Sequence, residues 1–133
     1  MKNKPNLEIL QGLLFTYCTE NTKNLEREEI IASKNVNSKT ELAELFNILT
    51  KPEFLSYRED EQIWFIDTIE LYLSKGDDFE TAFYLFDTYF EDEITDKRQF
   101  MKVLLESLKR YSSEAKKINQ GKSNKKLNLS SLT

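Results

Sequence analysis

Carboxylates are the side chains with which this chain would do chemistry, and they crowd one stretch. From Ser74 to Thr95 it reads SKGDDFETAFYLFDTYFEDEIT, with six aromatic rings and seven carboxylates against Lys75 alone. Two groupings, Asp77-Asp78 and Glu91-Asp92-Glu93, carry the hard oxygen donors that calcium or magnesium takes. An EF-hand loop needs alternating oxygen ligands, a central glycine and a closing glutamate, and neither grouping supplies that order. A glycosidase needs two carboxyl groups at a set separation, yet no spacing here selects one pair from so many. Histidine is absent, which removes the Ser-His-Asp and Cys-His arrangements and the HExxH zinc site. Cys18, the single cysteine, falls on the apolar side of its segment with no base near it in sequence. It reads as a small buried hydrophobe. With only Gly12, Gly76 and Gly121 in the chain, no glycine-rich phosphate loop can be assembled. The expectation is a protein that is not an enzyme, with no cofactor and no metal.

What the carboxylates do instead depends on the elements that carry them. A chain of 133 residues with few glycines and prolines suits one helical domain, because sandwiches and barrels need many tight turns. Leu7, Leu10, Leu13, Leu14, Tyr17 and Cys18 recur at spacings of three and four and predict a first helix over about Asn6 to Asn21. Leu25 to Ser33 predicts a short second helix, opened by Asn24. Ser38 and Glu41 form a capping box for SKTELAELFNILT, and Lys51-Pro52 is expected to end that helix. Pro52 then suits the first turn of a short helix carrying Phe54, Leu55 and Tyr57. Glu59 to Ser74 is the next helix, closed by Gly76. Asp78 opens a helix over DFETAFYLFDTYFEDE, and Thr95 or Asp96 opens a long one reaching Asn119, with Phe100, Val103, Leu104, Leu108 and Tyr111 in a stripe. The fold expected is all-α, a compact bundle of about five or six helices over residues 1–119. A flexible, disordered polar and basic C-terminal tail over 120–133 completes it.

No run approaches the ~18 apolar residues of a membrane span. The N-terminal MKNKPNLEILQGLLF, interrupted by Glu8, Gln11 and Gly12, reads as a helix rather than a signal peptide. One cysteine and no signal fit a cytoplasmic protein.

The net charge of −4 conceals a division along the chain. From Glu53 to Asp96 fourteen acidic residues stand against Arg58 and Lys75; from Lys97 onward ten basic residues stand against Glu106 and Glu114. Lysines late in the last helix complement its dipole and pair with the acidic middle. Direct nucleic-acid binding is not expected, because the chain as a whole is acidic and no aromatic residue follows Tyr111. On a helix, Phe79, Ala82, Phe83, Phe86, Tyr89 and Phe90 share one side, and Glu80, Tyr84, Asp87 and Glu91 the other. The first set reads as core and the second as a solvated acidic strip holding one tyrosine. On Glu59–Ser74 the core side is Phe65, Ile66, Ile69, Tyr72 and Leu73, while Trp64 and Leu71 lie elsewhere, beside Asp60 and Asp67. That is either a central helix packed on two sides or an aromatic anchor ringed by carboxylates, as at tight interfaces. The partner-binding residues expected are Asp60, Trp64, Asp67, Glu80, Tyr84, Asp87 and Glu91.

The segment SYREDEQIWFIDTIELYLSKGDDFETAFYLFDTYFEDE resembles, in architecture and charge, the small acidic helical immunity proteins of bacteria. Those neutralise nuclease toxins of the colicin and contact-dependent growth inhibition type. The resemblance implies a cytoplasmic protein that binds one basic toxin nuclease domain tightly and does no chemistry. Two other readings stay open: a phage-encoded DNA mimic that blocks a host nuclease or defence complex, and a helical adaptor whose acidic strip serves solubility.

Overall fold

A computed structural model of the chain describes residues 4–18, 25–83, 88, 90 and 93–132, with side chains as far as residue 116. The protein is all-α. Among the described residues no strand forms, and one isolated antiparallel bridge joins Cys18 to Thr88.

The first helix, α1 (Ile9–Leu14), tightens into a 3-10 turn at Phe15–Tyr17 and buries Leu10, Leu13, Leu14 and Tyr17. It ends short of the expected Asn21, because Cys18 turns extended, at φ −83° and ψ 139°, to make its bridge. Helix α2 (Leu25–Ala32) buries Ile31. Ser38 caps α3 (Lys39–Leu45), its hydroxyl accepting the Glu41 N–H at 3.4 Å. The capping box closes only by half: the Glu41 carboxylate accepts from the Asn35 N–H, not from that of Ser38.

Lys51-Pro52 does not end this helix as expected. The chain passes through a π-helical turn, Phe46–Thr50, directly into α4 (Lys51–Ser56), and the Lys51 N–H reaches the Phe46 carbonyl five residues back. Proline lacks an N–H, and its ring crowds the carbonyl four residues before it. The wider turn absorbs both defects at once, so Pro52 sits in the first turn of α4 without breaking the rod.

Helix α5 (Glu59–Ser74) has the bounds its sequence predicts. A Schellman motif closes it: Gly76 adopts φ +76°, its N–H reaches the Leu73 carbonyl, and the Asp77 N–H reaches that of Tyr72. Arg98 reinforces this end by donating to the carbonyls of Leu73 and Asp77 at 3.1 and 2.8 Å, a cation where the helix dipole is negative.

The expected helix over DFETAFYLFDTYFEDE is not continuous: α6 covers Glu80–Phe83, and Thr88, Phe90 and Glu93 are not helical. Phenylalanine, tyrosine, threonine and aspartate are middling helix formers at best, and Thr88 spends its backbone on the bridge to Cys18. The rings reach the core by another route: Phe79 and Ala82 are fully buried, and Phe83 and Phe90 lie against the core. Asp96 opens α7 (Lys97–Leu132), its carboxylate accepting the Gln99 N–H. Side chains of α7 past Lys116 lie outside the described residues, and the expected tail over 120–133 falls there.

α7 is the axis of the bundle. The rod of α3, the π turn and α4 runs parallel to it, with Asn47 at Arg110 and Tyr111 and Lys51 at Glu114. α5 runs antiparallel, with Leu73 at Arg98 and Glu70 at Lys109. The α7 stripe of Phe100, Val103, Leu104, Leu108 and Tyr111 is buried between them. Two ring clusters fill the interior. Phe100 meets Phe46 and Phe83 edge-on, each at 5.3 Å, with Phe90 and Tyr17 completing that group. Phe54, Phe65, Tyr57 and Tyr111 form the second.

Candidate protein-binding surface

α5 sets its side chains by a simple rule. Phe65, Thr68 and Ile69 are buried, and the residues a half-turn away, Glu59, Asp60, Ile63, Asp67, Glu70 and Ser74, are exposed. Asp60, Ile63, Asp67, Glu70 and Ser74 follow one another at three and four, so they form a straight outward row. At a rise of about 1.5 Å per residue the row is roughly 20 Å long.

The charges along it differ in how far they are engaged. Asp60 pairs with Arg58 Nε at 3.3 Å, an exposed contact that also accepts the Glu61 N–H. Glu70 pairs with Lys109 of α7 at 3.4 Å. No ion pair among the described residues engages Asp67. With Asp60 and Glu70 each beside a cation, the carboxylate of the row left without one among the described residues is Asp67, and Glu59 is exposed next to its start. Ile63, nearly half exposed, breaks the carboxylates with one apolar side chain.

Trp64, expected as an interface anchor, is half-buried and already held by its own chain. Its indole N–H donates to the Lys4 carbonyl at 2.6 Å, and the Asn6 N–H reaches the buried Thr68 hydroxyl at 3.4 Å. The N-terminal segment is therefore laid along α5, which is the arrangement of a helix packed on two sides. Trp64 borders the row rather than crowning it.

Glu80 is exposed but sits past the C-terminal end of α5, paired with Lys97 Nζ at 3.2 Å. The structure thus brings Asp60, Trp64 and Asp67 together on one helix and places Glu80 at the far end of it. Tyr84, Asp87 and Glu91 lie outside the described residues. The sequence reading passed over Ile63 and Glu70, although both follow from counting on from Asp60 by three and by ten.

A second polar feature lies inside. The Glu53 carboxylate accepts from the Thr16 hydroxyl at 2.5 Å, with the Tyr57 hydroxyl at 3.5 Å. Burial raises its pKa above the ordinary carboxylate value, against the opposing effect of those two donors. Beside it the Tyr17 and Thr50 hydroxyls share a hydrogen bond at 2.5 Å, and burial pushes the Tyr17 phenol far up. This cluster ties the 3-10 turn to the π turn and α4. Tyr17 and Thr50 are fully buried there and Glu53 is half-buried.

Among the described residues no group of three or more Cys, Asp or Glu side chains is placed to hold a metal ion. No described helix is long and apolar enough to cross a membrane. Comparison with known protein families, with characterised proteins and with solved structures finds no match.

Proposed function

We propose that this protein is a non-catalytic inhibitor: a cytoplasmic immunity protein that covers the basic active-site surface of a cognate nuclease-type toxin. The observation that carries the reading is the outward row of α5, in which Asp60, Asp67 and Glu70 project side by side around Ile63. Nucleases draw phosphate with positive potential, and a protein showing the opposite potential on a rigid helix is steered to the same place. The middle of the chain, with fourteen acidic residues over Glu53 to Asp96, supplies that potential at long range. Ile63 gives the contact an apolar centre. Glu80, together with Tyr84, Asp87 and Glu91 from the sequence, would extend the surface past the end of α5.

Association kinetics test this. The cognate domain, recovered from the native host with this protein as bait, should bind with an on-rate that falls steeply with salt. Asp60→Lys with Asp67→Lys should slow association by roughly tenfold or more and flatten its salt dependence, leaving the circular dichroism spectrum unchanged. A double variant that associates at the wild-type rate at every ionic strength would place the interface elsewhere.

A further inference from the structure

Residues 4–6, ahead of α1, have no regular structure, yet they are laid along α5. The Lys4 carbonyl accepts the Trp64 indole N–H at 2.6 Å, and the Asn6 N–H reaches the Thr68 hydroxyl at 3.4 Å. The two contacts match in length. Two residues of extended backbone cover at most about 7 Å, and the helix rises about 6 Å from Trp64 to Thr68. The segment therefore runs parallel to α5 for one turn, beside the indole. Trp64 has Asp60 four residues behind it and Asp67 three ahead, both exposed, so the three adjoin on the helix surface.

This strap is firm at one end and light at the other. From Asn6 onward the chain is anchored. The Asn6 side-chain oxygen accepts the Glu8 N–H at 2.9 Å, its carbonyl accepts the Ile9 N–H at 3.2 Å, and Leu7 is buried. Before Asn6, Pro5 has no N–H to give and Lys4 is exposed, which leaves the indole as the hold. A hydrogen bond of this kind shifts an open–closed balance by only about two- to tenfold, so a hinge at Asn6 opens far below the cost of unfolding.

We infer that the segment ending at Asn6 is a releasable strap, and that the half-buried Trp64 is the anchor it covers. A partner settling on Asp60 and Asp67 displaces the strap and takes the indole in its place. A large ring with a polar handle, set among exposed carboxylates, is the residue type that dominates tight contacts. The inference rests on the reading of α5 as the face that meets a basic nuclease domain, and adds a gate to that face.

Trp64 is the chain's one tryptophan, so its fluorescence reports the strap directly. Two variants loosen it. One lacks residues 2–5; the other, Thr68→Val, removes the hydroxyl that holds Asn6 and leaves every charge in place. In the free protein, acrylamide should quench Trp64 more strongly in both variants than in the wild type, with unchanged circular dichroism. Against the basic domain recovered from the native host, Thr68→Val should associate roughly two- to tenfold faster than the wild type. In the wild-type complex the Asn6 amide should exchange faster than in the free protein, while the indole becomes shielded from acrylamide. A truncated variant quenched like the wild type overturns the strap. A complex in which Asn6 exchange slows, or in which Thr68→Val and wild type associate at equal rates, overturns its displacement by the partner. A host that yields no basic domain to any of the three forms sinks the reading of the face and with it the gate, while the quenching result still decides whether the strap exists.

Discussion

At the scale of single residues, Glu53 is the side chain whose environment departs furthest from its sequence. Nothing in KPEFLSY marks its carboxylate as buried, yet the 3-10 turn after α1 delivers the Thr16 hydroxyl to it. Its folded pKa lies above the unfolded value, burial being the larger cause. The fold therefore favours the protonated acid: this group's contribution is fully present below the ordinary carboxylate pKa and is lost as pH rises through the raised one. Glu53→Gln keeps an oxygen for Thr16 and carries no charge. Urea unfolding should show the variant at least as stable as the wild type at pH 7, with less change between mildly acidic and neutral pH. Trp64 makes the opposite point. Its identity suggested an outward anchor, whereas its indole N–H holds the Lys4 carbonyl. Trp64→Phe should cost about 0.5–1.5 kcal/mol, the worth of one hydrogen bond, and speed amide exchange in residues 4–7. A single sequence shows neither partner, because both contacts join segments far apart along the chain.

Elements whose periodicity is backed by end signals were legible. α5 opens and closes where Glu59 and Gly76 predict, and α7 starts at Asp96 with its stripe inward. The stretch DFETAFYLFDTYFEDE has helical spacing of rings and an opening signal at Asp78, but no closing signal to match. There the pattern tracked burial, which Phe79 and Ala82 share, while Thr88 and Phe90 are not helical. The two described helix-associated glycines separate backbone cost from packing. At Gly76 an added Cβ meets nothing within 4 Å, but φ is +76°. Gly76→Ala should thus destabilise by roughly 1–2 kcal/mol through conformation alone. Gly12 lies within α1, also with nothing within 4 Å of an added Cβ. Gly12→Ala should stabilise by roughly 0.5–1 kcal/mol. Thermal unfolding of the two variants should move in opposite directions.

Across the whole molecule, the core depends on α7 and on the rings it gathers. Phe100 touches three other rings, from the π turn, from α6 and from the connection after it. Phe100→Ala should cost about 3–5 kcal/mol, measured by denaturant unfolding, while the exposed change Asp67→Lys should alter stability by no more than about 0.5 kcal/mol. That contrast separates what holds the protein together from what it presents. The acidic middle and basic end anticipated from composition do meet, at Glu80 with Lys97 and Glu70 with Lys109, yet Glu59 and Asp67 still face outward.

The wide turn at Phe46–Thr50 holds one residue more than an ordinary helix would use over the same length. Removing a single residue there would restore regular winding over that length and leave everything after it on its present face. Phe54 would stay in the interior and Glu53 beside Thr16, with Pro52 meeting the crowding of a regular turn. A one-residue deletion within α3 or α4 would instead turn the following side chains by about 100°, so chain length should be more forgiving along Phe46–Thr50 than on either side of it.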